Sequence, residues 1–488
     1  MLRQILLTKV QASARLTRFS KSLEPFSTTV RWKHTESDKT YQGIFAPFLS
    51  GGHEDAEEDK ARQYYRRLTA YDTAKSASPP TRTRMLVRDF IDDSLYNPNY
   101  GYFSKQAVIF SPETDFDFNG MRDHLEFMNI LGQLYKDMES EADDVDDVAR
   151  QVWHTPTELF KPWYGYAVAK YLVSEYKLNL FPNKDLIIYE MGAGNGTLMM
   201  NVLDYIQENE PEVYQRTQYN IIEISGQLAE RQSLRQDTRD LKNQHKCVKI
   251  VNQSIFDWKT LVPDQCFFLG MEVIDNFAHD LIRYDLDTLK PYQAVVSTDA
   301  KGDYSEVYEP VGNDQLISKY LSLRSQTRYR SPILSNQIWL KFLKSLPLAP
   351  NMTSPEFIPT KLFMLLDTLK TYFPKHRLLL SDFSSLPDSV EGVDAPVVQT
   401  RYRGTMVPCS TYMVQPGWFD IFFPTNFELL RDMYLLVCRG SSAGNDKSVK
   451  VLTHREFCER YGDIESTTTK SGENPMLMYY ENMKMILT

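Results

Sequence analysis

Three stretches of the 488-residue chain place carboxylates and glycines at spacings that could serve chemistry. In the first, Glu190 is followed by Gly192, Gly194 and Gly196 at alternate positions, with Ala193 between the first two. Glycines in such a run let the backbone take positive φ and approach a ligand closely. A carboxylate two residues before the first glycine repels a pyrophosphate and attracts a ligand with cationic groups. S-adenosylmethionine (SAM) carries an ammonium and a sulfonium, so it suits this turn better than a dinucleotide. The competing reading is a tight turn that binds nothing, since a glycine motif alone is weak evidence. The second stretch is Glu223-Ile224-Ser225, where an acid ends an apolar run. That is the place where a ribose hydroxyl pair is held, although an ordinary surface carboxylate fits the pattern too. The third is Met271–Asn276, with Glu272 and Asp275 three residues apart. Acids just beyond a central strand lie where open α/β sheets bind ligands, and equally where helix N-termini favour negative charge.

These side chains need elements to hold them. Leu186–Tyr189 is a short apolar run, which suits a buried parallel strand. Leu198, Met199, Val202, Leu203 and Ile206 share one helical face. Strand, glycine turn and helix therefore follow in order, as at the start of a nucleotide-binding α/β unit. Further strands are expected at Tyr219–Ile224, Cys247–Val251 and Cys266–Gly270. Gln253 and Ser254 follow the third of the four, where Ser254 is the candidate to meet an adenine edge. Leu281–Tyr284, Tyr292–Val296 and Tyr304–Tyr308 alternate and read as a three-stranded meander. Helices are expected at Gln315–Ser322, Asn336–Leu346 and Lys361–Tyr372, and strands at Arg377–Leu380 and Met433–Cys438. Met478–Leu487 is apolar enough to pack. Upstream, Met85–Leu95 and Thr155–Tyr176 read as helices, the latter with Thr157-Glu158 near its cap. Residues 104–150 contain an acidic run, Glu139 to Asp147, which reads as a solvated insertion.

Composition narrows the function classes. The formal net charge is −9. Residues 1–34 carry a net +6, which leaves −15 on the remainder. That acidity argues against phosphate-backbone binding as the main task. No apolar run is long enough to span a bilayer. The five cysteines are scattered without a CxxC spacing, and the eight histidines are dispersed, so no metal site is expected. Residues 1–34 are basic, hydroxyl-rich and amphipathic, the composition of a mitochondrial transit peptide. Residues 35–82 are polar and read as a linker.

Several stretches, in the right order, resemble the MidA-like family, whose mitochondrial members are protein arginine methyltransferases and complex I assembly factors. Asn97-Pro98 with Gly101-Tyr102-Phe103 looks like its NPxxGYY. Glu190 to Thr197 looks like its ExGxGxGT. Glu223-Ile224-Ser225 with Leu228 and Gln232 looks like its EVSxxLxxxQ. Glu272 and Asp275 look like the acids of its NEFFDALP. Arg403-Gly404, Gln415-Pro416-Gly417, Asp420 and Phe427 look like its LRGF and PGxxDLTxxVDF. The family's asparagine before the acid is Met271 here, and the acid of its proline–glutamate pair is Thr360.

The resemblance implies a Rossmann-like α/β methyltransferase sheet with helices on both faces. An inserted meander and helical substrate region and an N-terminal helical region would complete it. The expected divisions are 1–34 for targeting, 35–82 as linker, 83–180 as the N-terminal region and 181–280 as the SAM-binding core. Residues 281–373 would form the insertion, and 374–488 the rest of the sheet and the C-terminal segment. It further implies SAM as cofactor and transfer of its methyl group to arginine of a protein, with a respiratory-chain subunit in the mitochondrial matrix as the candidate substrate. Cofactor-binding candidates are Glu190, Gly192, Ala193, Gly194, Gly196, Glu223 and Ser254. Glu272, helped by Asp275, is the candidate to orient a guanidinium. The alternative is a SAM-fold assembly factor that holds a partner subunit without catalysis, motivated by Met271 and Thr360.

Overall fold

The strand before the glycine turn, Leu186–Met191, lies near the middle of a seven-stranded sheet. Along the sheet, the order is Lys450–Thr453, Met483–Leu487, His376–Phe383, Cys266–Met271, Leu186–Met191, Thr217–Glu223 and Val248–Asn252. The last five are mutually parallel. Met483–Leu487 runs antiparallel to both of its neighbours. Cys266–Met271 is buried along its whole length, as a central parallel strand covered on both faces must be. Chain order reverses direction between Leu186–Met191 and Cys266–Met271, which pair with Glu190 opposite Leu269. That switch point is where open α/β sheets form a ligand crevice at their carboxyl ends.

This computed structural model describes residues 62, 64–105, 107–143, 151–237, 245–312, 314–335, 344, 350–387, 395–402, 405–440 and 448–488. Residues 67–488 make one compact unit, which carries every feature below. The targeting segment, most of the linker, the end of the acidic run, most of the Asn336–Leu346 helix and Arg403-Gly404 lie outside the described residues.

The expected meander forms from Asp280–Tyr284, Pro291–Thr298 and Tyr304–Pro310. Further strands join it to make a six-stranded sheet. Thr83–Leu86 pairs with the second half of Pro291–Thr298, and Glu356–Ile358 pairs with Asp280–Tyr284. A three-stranded sheet follows, Thr405–Cys409, Val397–Tyr402 and Asp420–Phe422. Helix Val87–Tyr96 packs on these sheets through Val87, Phe90, Ile91 and Leu95. Among the described residues no helix is long and apolar enough to cross a membrane.

Several local expectations are corrected. Met433–Cys438 is not a strand. Helix Phe427–Tyr434 runs on through a wider turn, Leu435–Arg439, and Phe427, Leu430, Met433, Tyr434 and Val437 are buried. A short apolar run cannot by itself tell strand from buried helix. The Met85–Leu95 helix begins at Val87, because Thr83–Leu86 is taken by the meander's edge. Thr155–Tyr176 is two helices, Pro156–Leu159 and Trp163–Asn179, and Thr155 rather than Thr157 caps the first. Ahead of the acidic run, whose side chains lie outside the described residues, the 104–150 segment packs through its aromatic residues. Phe110, Phe116, Phe118 and Phe127 are buried, and Phe127 stacks with Phe160 and meets Tyr479 edge-on. The aromatic payload of this segment outweighs its charge. The linker also ends early, since Thr73 is buried and its hydroxyl bonds Asp93.

Two of the family-like stretches fasten to one another. Gly417 has φ +83° and donates its N–H to the Ser94 carbonyl at 3.1 Å. A Cβ there would overlap the Tyr100 carbonyl oxygen. Asn97, also buried, donates to Asp93 Oδ1 at 2.8 Å and to the Thr73 carbonyl at 3.0 Å. Gly417→Ala is expected to destabilise the fold by more than about 2 kcal/mol, from the left-handed backbone and the overlap together. Urea unfolding measures this, and a midpoint like that of the unsubstituted chain would show that the contact is not rigid.

Candidate active site

The glycine turn has the geometry its sequence requires. Gly192, Gly194 and Gly196 take φ of +70°, +53° and +75°. Gly192 N–H donates to the Ile222 carbonyl at 3.0 Å, and Gly196 N–H closes the turn on the Ala193 carbonyl at 2.8 Å. Helix Thr197–Asn209 starts directly after it, with Leu198, Met199, Val202, Leu203 and Ile206 buried as the periodicity predicts. On one side the turn meets the acidic loop, because a Cβ on Gly192 would lie 3.0 Å from Val273 Cγ2.

Glu223 ends the neighbouring strand and is buried. Its Oε1 accepts from Ser225 N–H at 2.9 Å and its Oε2 from Gln232 Nε2 at 3.1 Å. The same Gln232 nitrogen donates to the Gly194 carbonyl at 2.9 Å. Gln232 thus couples the ribose candidate to the glycine turn, and its own Oε1 is buried without a hydrogen-bond partner. Burial pushes the Glu223 carboxyl above its ordinary range, against the hydrogen bonds it accepts. Glu190 is 3% exposed and its Oε2 accepts from the Tyr219 hydroxyl at 2.8 Å. Burial pushes it up to about 7, with Tyr219 opposing and Glu223 adding to the rise. Ser254 sits apart in role. Its hydroxyl caps a short turn by accepting from Phe256 N–H at 3.2 Å.

The acidic loop follows the central strand. Glu272 has φ +55°, an uncommon conformation for a non-glycine residue, and its N–H donates to the Ser381 carbonyl at 2.8 Å. Asp382, fully buried at the end of the adjacent strand, accepts from Ile274 N–H at 2.9 Å and Asp275 N–H at 3.1 Å. Asn276 Nδ2 donates to Asp420 Oδ1 at 2.9 Å, and Phe423 N–H donates to the Asp275 carbonyl at 2.8 Å. Four acids from three parts of the chain therefore surround one loop. Asp275 Oδ1 and Asp420 Oδ2 are buried with no hydrogen-bond partner among the described residues. Burial raises the proton affinity of Glu272 and Asp275 well above normal, and Asp382 raises both further. Asp420 adds to the rise at Asp275, and Glu158 to that at Glu272. Such a cluster is built to favour either protons or a cation.

Sequence reading brought together Glu190, the glycines, Glu223, Glu272 and Asp275. It missed Asp382, Tyr219 and Glu158, whose roles come from strand ends and a short helix distant in the chain. Gln232 and Asp420 were visible only through the family-like motifs.

A doubly wound sheet with this turn defines the SAM-dependent methyltransferase class. The chain belongs to the family described as "Putative S-adenosyl-L-methionine-dependent methyltransferase", whose profile matches residues 167–443. It is 25% identical over 391 residues to the Schizosaccharomyces pombe protein named "Protein arginine methyltransferase NDUFAF7 homolog, mitochondrial", covering 74% of this chain and 77% of that one. A Saccharomyces cerevisiae protein of the same name is 23% identical over 360 residues, covering 66% of this chain and 77% of its own. In fold, the chain is similar to a COG1565 superfamily protein from Burkholderia thailandensis crystallised with S-adenosyl-homocysteine. The TM-score is 0.51 at 14% identity, over 90% of this chain and 94% of that one. SAM is the cofactor. The residues present fit it: three left-handed glycines open the backbone to a ligand, a carboxylate ends the next strand, and a buried amide oxygen beside them lacks a donor.

With Glu190 proposed as partner of the cofactor's ammonium, SAM binding favours its ionised form. Affinity is then expected to fall as pH drops below about 7, by up to about tenfold per unit. Without cofactor the sign is opposite for stability. The raised carboxyl stabilises the fold at low pH, and that contribution is lost as pH rises from 4.5 to about 7. Calorimetric SAM titrations across this range, repeated with Glu190→Gln, check it. An unchanged pH dependence in the variant would remove Glu190 from the site.

Proposed function

We propose that the protein transfers the methyl group of SAM to an arginine of a protein substrate in mitochondria. The observation that carries this reading is the acidic loop. Glu272 and Asp275 follow the central strand beside the glycine turn, and burial and neighbouring carboxylates are the leading causes that raise their proton affinities among the described residues. A guanidinium is always charged, so it can satisfy carboxylates that otherwise hold protons. Its planar fork also matches a carboxylate in two parallel hydrogen bonds. Glu272 would hold that fork and Asp275 would add negative field from below. Orientation is the main demand of the step. Bound SAM would supply an electrophilic methyl group to the arginine nitrogen, its sulfur keeping the electron pair of the broken carbon–sulfur bond in S-adenosylhomocysteine, and the nitrogen's proton would pass to water.

The names of the two yeast relatives support arginine and mitochondria. The basic, hydroxyl-rich composition of residues 1–34 supports import. We infer the matrix as the compartment, the 281–373 meander and helices as the substrate-facing region, and a respiratory-chain subunit as the class of substrate. Thr360, one of the departures from the family pattern, is absorbed structurally. Its buried hydroxyl donates to Asp280 Oδ2 at 2.7 Å, which also pairs with Arg88 at 2.7 Å.

Glu272→Gln keeps size and polarity but removes the charge that pairs with guanidinium. SAM affinity should survive while transfer falls by about 2–5 kcal/mol in transition-state stabilisation. Asp275→Asn should fall less. Single-turnover transfer to mitochondrial protein, measured beside SAM affinity, decides it. Unchanged transfer in Glu272→Gln would remove that residue from the mechanism, and absent transfer by the unsubstituted chain would favour the assembly-factor reading.

A further inference from the structure

The glycine turn is covered by a part of the chain that lies outside the family-matched segment. Ala107–Ile109 pairs in parallel with Gln151–Trp153. Phe110 follows, fully buried and stacked on Tyr135 with ring centroids 4.8 Å apart. This seats Ile109 over the turn. A Cβ on Gly194 would meet Ile109 Cδ1 at 2.8 Å, with no other described heavy atom within 4 Å.

One carboxylate joins the strap to the turn. Glu158 is 2% exposed. Its Oε1 accepts from Thr197 Oγ1 at 2.7 Å and Asn195 Nδ2 at 3.0 Å, both at the turn. Its Oε2 accepts from Ser111 Oγ at 2.8 Å, next to the strap's Phe110. Lys161 Nζ stands 3.9 Å from Oε2 and donates to Ser111 Oγ at 3.3 Å and to the Pro112 carbonyl at 2.5 Å. The Thr155 hydroxyl holds the backbone of Glu158 by accepting its N–H at 3.2 Å. Both oxygens of Glu158 are thus occupied by the protein itself. A residue so committed is suited to hold a shape rather than to bind a ligand directly.

We propose that Ile109–Ser111 is the outer wall of the SAM pocket and that Glu158 is the positioning residue that latches this wall to the glycine turn. SAM affinity then depends on residues upstream of the family-matched core. Ile109 supplies an apolar surface opposite Gly194, the glycine of the turn whose face is otherwise open among the described residues. Glu158 keeps Asn195 and Thr197 from relaxing the turn. Removing apolar surface from the wall, or cutting its hydrogen-bonded latch, loosens the ligand without touching the chemistry of transfer.

The inference rests on SAM as cofactor and not on arginine as substrate, so the test reads SAM binding alone. Calorimetry with SAM is run on the full chain and on Ile109→Ala, Ser111→Ala, Glu158→Ala and Glu158→Gln, beside thermal melting without SAM. Ile109→Ala should weaken binding by about tenfold with little change in melting temperature, as the removal of buried apolar area implies. Glu158→Ala should weaken it at least as much, and Ser111→Ala less, because it frees only one of the two latch oxygens. Glu158→Gln should recover most of the loss, because an amide carbonyl still accepts from Asn195 and Thr197 while its nitrogen can donate to Ser111. SAM affinity unchanged in Ile109→Ala and Glu158→Ala would overturn the proposal, whatever happens to melting. So would a Glu158→Gln as impaired as Glu158→Ala, since charge and not the latch would then matter. Failure of methyl transfer with these SAM affinities as expected would count against the arginine reading alone.

Discussion

The Asp382 carboxylate is the point on which the site's geometry depends. It is fully buried at the end of the fifth parallel strand, and its oxygens accept from the backbone of Ile274, Asp275 and Phe383. Two of these amides, from Ile274 and Asp275, belong to the loop that leaves the fourth strand and hold it to Asp382. With that loop held, Glu272 stays in a left-handed conformation, Val273 rests on Gly192, and Asn276 reaches Asp420. An acid buried without a cation is costly unless hydrogen bonds meet it. Here they do at Asp382, whereas Asp275 Oδ1 is buried with no partner among the described residues.

That contrast separates acids paired with arginine from the two proposed to meet the substrate. Asp280 is paired with Arg88, and Glu356 with Arg324 at 2.9 Å. Both belong to the meander's sheet and are paired with arginine, although Asp280 Oδ1 is buried with no hydrogen-bond partner among the described residues. Glu272 and Asp275 are crowded by other carboxylates instead. Their crowding favours protons, and in the proposed role a bound guanidinium would replace those protons, which is a physical basis for choosing a charged substrate over a neutral one.

The N-terminal region is part of the same machine. Its aromatic residues pack against Phe160 and Tyr479, which ties it to the C-terminal segment. That segment in turn places Met483–Leu487 in the main sheet beside His376–Phe383. Segments that look peripheral in the sequence thus join the strand that carries Asp382 through one another.

Local pattern alone determined the glycine turn, the strands around it, the meander and most helices. Each of these depends on neighbours within a few residues: glycines that permit positive φ, an apolar run that must be buried, a helical face with a period of 3.6. It also determined that Glu190, Glu223, Glu272 and Asp275 would stand at strand ends. Tertiary structure alone decided which carboxylates are satisfied and which are not. Asp382 lies more than a hundred residues from the loop it holds, and Glu158 lies 39 residues before Thr197. Nothing in the spacing of either marks its partner, because parallel strands bring distant segments together through long crossovers. The misread Met433–Cys438 run has the same origin. Its apolar residues fit a strand or a helix equally well, and only the surface it packs against chose the helix.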